Sequence, residues 1–344
     1  MEGYLLDPDD AGTRAAAVGT IVCEDVTVAG KRLFRKGHLL TAADLEALAT
    51  VGRPLHAVRL APDDVHEDAA GLRLARAVAG DGVELTGPVQ SRVNLRATRR
   101  GLLRVDGERL AEIDALFGVA VFTLLDRIPV LPGKIVAGAK ITPVALSEAT
   151  LRQVEAVGTR GDRVVQVRAF QPLRVGVITT EGLKDARQER FRATVRKKVA
   201  WYGGDVVGFA DVENEPAAVA AALEGYITAG AQVILAGGGN TIDPLDATLQ
   251  ALRLVGAAVV AFGAAAHPGS MFWLAQRGAV PIVNLASCSM YSKATVADLV
   301  LPWIFAGESV TARDMAGLGL GGLLDRDMGF RFPDYDAEAA TEEE

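Results

Sequence analysis

The residues best placed to do chemistry in this 344-residue chain fall in one run, Gly237-Gly238-Gly239-Asn240-Thr241-Ile242-Asp243-Pro244-Leu245-Asp246. Three glycines directly after an apolar stretch let a backbone approach an anion with no Cβ in the way. A helix beginning just beyond them offers free N–H groups and the positive end of its dipole to the same anion. Asn240 and Thr241 add side-chain hydrogen bonds. Asp243 and Asp246, three residues apart in the first helical turn, could hold Mg²⁺ in catalysis or accept from a ligand's amino groups. Capping the helix is the structural alternative for either acid. Three other segments carry hydroxyls or turn chemistry: Thr179-Thr180-Glu181-Gly182, His267-Pro268-Gly269-Ser270, and Ser287-Cys288-Ser289 with Ser292-Lys293. Serine hydroxyls and one lysine near a helix start suit a terminal phosphate. A tight turn accounts for His267 more simply than a functional role does. Cys288 reads as a small buried residue, because His267 is the only histidine in this half that could activate it.

These segments share a position, and the elements around them explain why. Leu173–Thr179, Asp205–Ala210, Gln232–Ala236, Ala257–Phe262 and Ala279–Leu285 read as strands. Helices are expected at Arg187–Gly203, with Phe191, Val195 and Val199 on one face, then at Pro216–Ala229, Pro244–Leu254 and Ala294–Phe305. Strands alternating with helices imply a mostly parallel sheet covered on both faces. Ligands of such sheets bind outside the carboxyl ends of the strands, and all four segments follow a strand. Residues 1–170 read differently: β-rich and irregular, with short helices after Thr41 and over Ala69–Val78 and a strand within Gly133–Val144 that contains Lys140. The expected organisation is a β-rich domain over 1–170, a three-layer α/β/α domain over 171–310, an extension over 311–333 and an acidic, disordered tail over 334–344.

Composition narrows the classes. Half of the residues are hydrophobic and the net charge is −7. Six acids and no base lie between Asp334 and Glu344, so the rest of the chain sits near −1. That balance is not the footprint of a nucleic-acid binder. The basic run Arg187, Arg190, Arg192, Arg196, Lys197 and Lys198 reads as a solvated helix face. Two distant cysteines give neither a disulfide framework nor a Cys-x-x-Cys metal spacing. The acidic start is unlike a signal peptide, and the longest apolar run, Leu254–Ala266, is too short for a membrane helix. A cytoplasmic protein that is not in a membrane is expected. Gly317–Gly322 matches a dinucleotide fingerprint by letters but lacks the preceding strand.

The second half resembles the molybdopterin-binding domain shared by molybdopterin adenylyltransferases and molybdenumtransferases. The likeness runs from Leu173 to Gly307 and rests on Ala236–Asp246, on Pro268-Gly269, on Leu285–Lys293 and on Leu301–Gly307. The first half resembles the leader region of bacterial molybdopterin-binding proteins, through Lys36–Thr41 with Asp44-Leu45, Val93–Ala97, Gly101–Asp106 and Gly133–Pro143. The resemblance implies a pterin across the strand ends with its phosphate at the glycine-rich loop. It implies molybdopterin or a molybdopterin nucleotide as ligand, Mg²⁺ on Asp243 and Asp246, and ligand contacts from Thr179, Thr180, Gly237, Gly238, Gly239, Asn240, Thr241, Pro268, Gly269, Ser270, Ser287, Ser289, Ser292 and Lys293. A molybdoenzyme client and self-association into a homo-oligomer are the candidate interactions. The sequence departs from the family pattern at Pro244-Leu245, which separate the two acids, at Ser270 in place of Asn, and at Ala286-Ser287-Cys288-Ser289-Met290 in place of Pro-Gly-Cys-Ala-Arg. Three functions follow: a binder in cofactor biosynthesis or delivery; a Mg-dependent nucleotidyltransferase or molybdenumtransferase; and a relative that lost the ligand and keeps an interaction role. A general nucleotide-binding protein would explain the glycines but not the first half.

Overall fold

Side chains of a strand point alternately to opposite faces, and the apolar strands of the second half use both faces. A computed structural model describes residues 1–239, 241–285 and 295–337. In it the chain forms two units, one of residues 1–98, 104–126 and 133–167, the other of residues 99–103, 127–132 and 168 onward.

The second unit is built on a six-stranded sheet. Its elements are β1 (Arg174–Thr179), α1 (Asp185–Trp201), β2 (Asp205–Asp211), α2 (Pro216–Thr228), β3 (Val233–Gly237), α3 (Ala247–Leu254), β4 (Ala258–Phe262), β5 (Trp273–Arg277), β6 (Val280–Leu285), α4 (Val296–Phe305) and α5 (Ala312–Gly317). The sheet order is β2-β1-β3-β6-β5-β4. The pairings of β1 with β2, β1 with β3 and β3 with β6 are parallel, and β5 runs antiparallel to both β6 and β4. Val175, Val177, Val233, Leu235 and Val283 face one side, packed with Phe191, Val195 and Val199 of α1 and with α4. Ile178, Ile234 and Ile282 face the other, packed with Val219 and Leu223 of α2 and Leu252 of α3. This is the three-layer arrangement expected from the alternation of strands and helices. The sequence reading lacks β5, which forms a tight hairpin with β6 across Gly278-Ala279. The helix expected from Pro244 starts instead at Ala247.

The basic run on α1 needs one correction. Arg192 pairs with Asp211 at 2.7 Å, and Lys197 pairs with Asp336. Lys198, however, is buried, with its Nζ 2.7 Å from Asp298 Oδ1. Asp298 is fully buried and belongs to the capping box of α4, its Oδ2 accepting from Thr295 N and Oγ1. Tyr335 OH donates to Asp298 Oδ1 at 2.8 Å and lies 3.1 Å from Tyr202 OH. Burial keeps both phenols protonated well above the usual range. The chain is therefore packed through Tyr335, beyond Asp334, where the acidic composition begins.

The first unit is mostly antiparallel. Strand Leu55–Arg59 lies between Glu2–Leu6 and Thr20–Val22. A four-stranded sheet runs in the order Val119–Thr123, Ile135–Ile141, Arg92–Ala97, Val83–Val89. The helix Glu67–Val78 packs on it, with helix Glu148–Gly158 against that helix. Thr41 and Asp44 form a capping box, and the helical turn continues to Leu48. Arg73 joins the two longer helices through Glu148 at 2.6 Å and Glu155 at 2.8 Å. Arg73, with Arg152, holds the Glu148 carboxyl down to about 2 from the usual 4.5. A carboxyl depressed in the folded chain stabilises it above the unfolded value, and that contribution is lost as pH falls through the folded value. Thermal melts should thus show Arg73→Met losing stability at neutral pH. Wild type and variant should converge as pH drops from 4.5 toward 2. Parallel curves across that window would show that the pair contributes nothing.

Candidate functional site

At the carboxyl ends of β1, β2 and β3 the chain leaves the sheet in three loops, and a cleft of about 490 Å³ lies among them. Thr180 and Glu181 come from the loop after β1, Asn214 and Glu215 from the loop after β2. Gly239, Asp243, Leu245 and Asp246 come from the loop after β3, and Gln250 from α3. Gly238 and Gly239 have φ of +99° and +85°, in the region that favours glycine. A Cβ on Gly238 would come within 2.8 Å of Thr180 Oγ1, and one on Gly239 within 2.9 Å of Asp246 Oδ2. The loop thus lies bare against both walls of the cleft.

Asp246 is 7% exposed and is the N-cap of α3, its Oδ1 accepting from Thr248 N at 3.0 Å and Leu249 N at 3.1 Å. Asp243 is exposed and accepts from Leu245 N at 2.8 Å. The two acids therefore sit before α3, not within its first turn, because the chain is still turning at Pro244-Leu245. Thr179 is buried, and its Oγ1 accepts from Glu181 N, which shapes the loop after β1. Thr241 Oγ1 donates to Met271 O at 3.2 Å, tying the glycine loop to the segment after His267.

The expected site residues separate into groups. Thr180, Gly239, Asp243 and Asp246 meet in the cleft; Thr179, Gly237 and Gly238 support it from behind. Gly237 is closed off by Phe191, 3.1 Å from its notional Cβ. Ser270 lines a different depression, with Ala264 and Met315. Pro268 and Gly269 belong to a turn across which Ala264 N donates to Ser270 O at 2.9 Å, and it is tied to the segment at 322–324, where His267 N donates to Gly322 O and Leu324 N donates to His267 O, both at 2.8 Å. A Cβ on Gly269 would meet Val296 N at 2.8 Å, so this turn packs on the start of α4. Asn240, Ser287, Cys288, Ser289, Ser292 and Lys293 lie outside the described residues. The sequence reading passed over Asn214, Glu215 and Gln250. The first two stand after a strand and before Pro216 at the first turn of α2, the same signal that marked the other loops.

Charge gives the cleft its character. Four carboxylates, of Glu181, Glu215, Asp243 and Asp246, line it, with no lysine or arginine among the described lining. Such a lining accepts hydrogen bonds from amino and ring N–H donors or takes a cation. Among the described residues no group of three or more His, Cys, Asp or Glu side chains is set to hold a metal ion. A larger cavity, about 830 Å³, opens at the opposite ends of the parallel strands, bounded by Leu173, Gln232, Val280 and Glu308. None of the glycine-rich loop at Gly237–Gly239, the Thr179-Thr180 loop or the His267–Ser270 turn lines it. No helix among the described residues is long and apolar enough to cross a membrane.

A family described as the probable molybdopterin binding domain matches residues 174–306, and a domain of unknown function, DUF8806, matches residues 14–54. No match is found among curated protein sequences. Similar solved structures include the molybdopterin biosynthesis moea protein from Pyrococcus horikosii, at 14% identity, covering 74% of this chain and 81% of that one with a TM-score of 0.32. A molybdenum cofactor biosynthesis protein B, at 18% identity, covers 40% of this chain and 93% of its own, with a TM-score of 0.32. The molybdopterin biosynthesis Mog protein from Mycobacterium ulcerans, at 18% identity, covers 39% and 95% with a TM-score of 0.31.

Proposed function

Residues 174–306 belong to the molybdopterin-binding domain family, and on that premise we propose that the chain binds molybdopterin or a molybdopterin nucleotide at the carboxyl ends of β1, β2 and β3, in the biosynthesis or delivery of molybdenum cofactor. The convergence of Thr180, Gly239, Asp243 and Asp246 in one cleft carries this reading. A pterin presents amino and N–H donors along one edge, and the four carboxylates are acceptors suited to that edge. Thr180 and the bare loop at Gly238-Gly239 supply the donors nearest to a phosphate end.

The enzyme reading, nucleotidyl transfer or metal insertion, draws on the same two aspartates. Each already accepts from backbone N–H groups, and two carboxylates do not enclose a resident cation. They fit Mg²⁺ only as an ion that keeps its waters and arrives on ligand phosphates. The site's geometry therefore favours binding over catalysis.

Titration with molybdopterin and with its nucleotide adduct, followed by calorimetry or tryptophan fluorescence, should give saturable binding. Asp246→Asn should weaken it roughly tenfold, since a charged acceptor is replaced by a neutral one. The melting temperature should hardly move, because Asn caps a helix about as well as Asp. No heat and no fluorescence change at millimolar ligand would leave the chain as a relative with an interaction role alone. Nucleotide transfer from ATP or CTP in the same mixtures, abolished by Asp246→Asn with binding retained, would establish the enzyme instead.

A further inference from the structure

The first unit carries a concave site of the opposite charge. One face of its four-stranded sheet is buried, with Val93, Leu95, Ala139 and Ile141 on strands packed by helix Glu67–Val78 and Val121 on the strand packed by helix Gly107–Asp114. Alternate residues of the same strands border a cavity of about 690 Å³, which includes Thr86, Arg92, Asn94, Phe122 and Lys140. Phe122 is 46% exposed, and its ring lies over Gly138, where a Cβ would come within 2.4 Å of it. The Arg92 guanidinium stands 5.5 Å from the ring centroid, and its Nε donates to Asn94 Oδ1 at 2.9 Å. Lys140 Nζ donates to Gln90 O at 2.8 Å.

The rim is rigid. Gln90 and Ser91, with φ of 49° and 62°, make the two-residue turn between the paired Val89 and Arg92. Ser91 is buried; its N donates to Asp68 Oδ1 and its Oγ to Ile141 O, both at 2.8 Å. Ala139 pairs with Val93, and continuing that register sets Lys140 beside Arg92. Like charges side by side on a sheet repel; Glu67, buried at the start of helix Glu67–Val78, acts on Lys140, but among the described residues no acid lines the cavity to relieve the pair. An anion bridging both would.

We propose that this platform is a second ligand site, for a nucleoside phosphate. The base packs against Phe122 and the flanking guanidinium, the phosphates bridge Arg92 and Lys140, and Asn94 and Thr86 bond to the base or ribose. The site is independent of the pterin reading, since it shares no residue with the acidic cleft.

ATP is the probe for the test, with the full chain in calorimetry at low and high salt. Saturable sub-millimolar binding that weakens with salt is expected. R92Q/K140Q should weaken it by roughly tenfold or more while keeping the wild-type melting curve. Azido-ATP photolabelling of the wild-type chain should mark peptides containing residues 86–94 or 119–140. Label confined to residues 174–306, or affinity unchanged in R92Q/K140Q, would overturn the proposal. Equal affinity for inorganic pyrophosphate would reduce the platform to a phosphate site and overturn the nucleoside part. An oligothymidylate binding far more tightly than ATP would make it a nucleic-acid surface and overturn the proposal as well.

Discussion

Lys198→Met should lower the thermal midpoint of the chain by roughly 10 °C, the equivalent of about 3–5 kcal/mol in a unit of this size. The variant keeps the aliphatic stem but removes the cation 2.7 Å from the fully buried Asp298. The carboxylate would keep its bonds from Thr295 and Tyr335 and lose the charge opposite it. Breaking a buried pair from one side costs far more than replacing both members, because the remaining ion cannot reach water. Asp298 also caps α4 and receives Tyr335, so the loss should loosen the C-terminal segment together with the start of that helix. K198M/D298N tests the cause. Asn at 298 keeps one oxygen to accept from Thr295 N and Oγ1 and puts its NH2 where it donates to the Tyr335 hydroxyl; it leaves no charge, so the double variant should recover most of the midpoint. A single variant that melts within a degree or two of wild type would show that water reaches Asp298 and that the network holds little.

Lys198 also marks where sequence reasoning stops. Phe191, Val195 and Val199 announce the buried face of α1 by their spacing. Lys198 adjoins that face, and its partner lies a hundred residues away on α4. Composition alone places a lysine in such a basic run in solvent. The parallel strands were legible because each is an apolar run between a helix and a turn. Strand β5 was not, because Trp273–Arg277 follows a Pro-Gly turn and ends in polar Gln276 and Arg277. In the site, glycines, hydroxyls and acids after strands pointed to the cleft, and the general rule for open α/β sheets did the placing. Proximity to α3 could not tell capping from ligand contact for Asp246. That depends on where the helix begins, and the structure begins it at Ala247. The platform of Arg92, Phe122 and Lys140 left no sequence signal, since its members come from three strands brought side by side by antiparallel pairing.

If the proposed pterin site is right, Gly239→Ala should weaken molybdopterin binding by roughly tenfold or more, a loss of at least about 1.4 kcal/mol of binding energy. Two effects act at once. The backbone φ of +85° disfavours any side chain, by about 1–2 kcal/mol. The new methyl would also stand 2.9 Å from Asp246 Oδ2. That carboxylate cannot swing aside freely, because its other oxygen receives Thr248 N and Leu249 N as the cap of α3. Relief must come from the loop, which would shift away from Asp246 and carry the backbone at Gly238-Gly239 out of reach of the ligand. Gly256→Ala separates the two effects. Its φ of +66° imposes similar backbone strain, but a Cβ there meets nothing within 4 Å. Calorimetric titration of both variants with molybdopterin, beside their melting curves, should show comparable strain in each and lost binding in Gly239→Ala alone. If Gly239→Ala binds like wild type, the glycine loop does not touch the ligand. The acidic cleft would then have to hold the pterin by its side chains only.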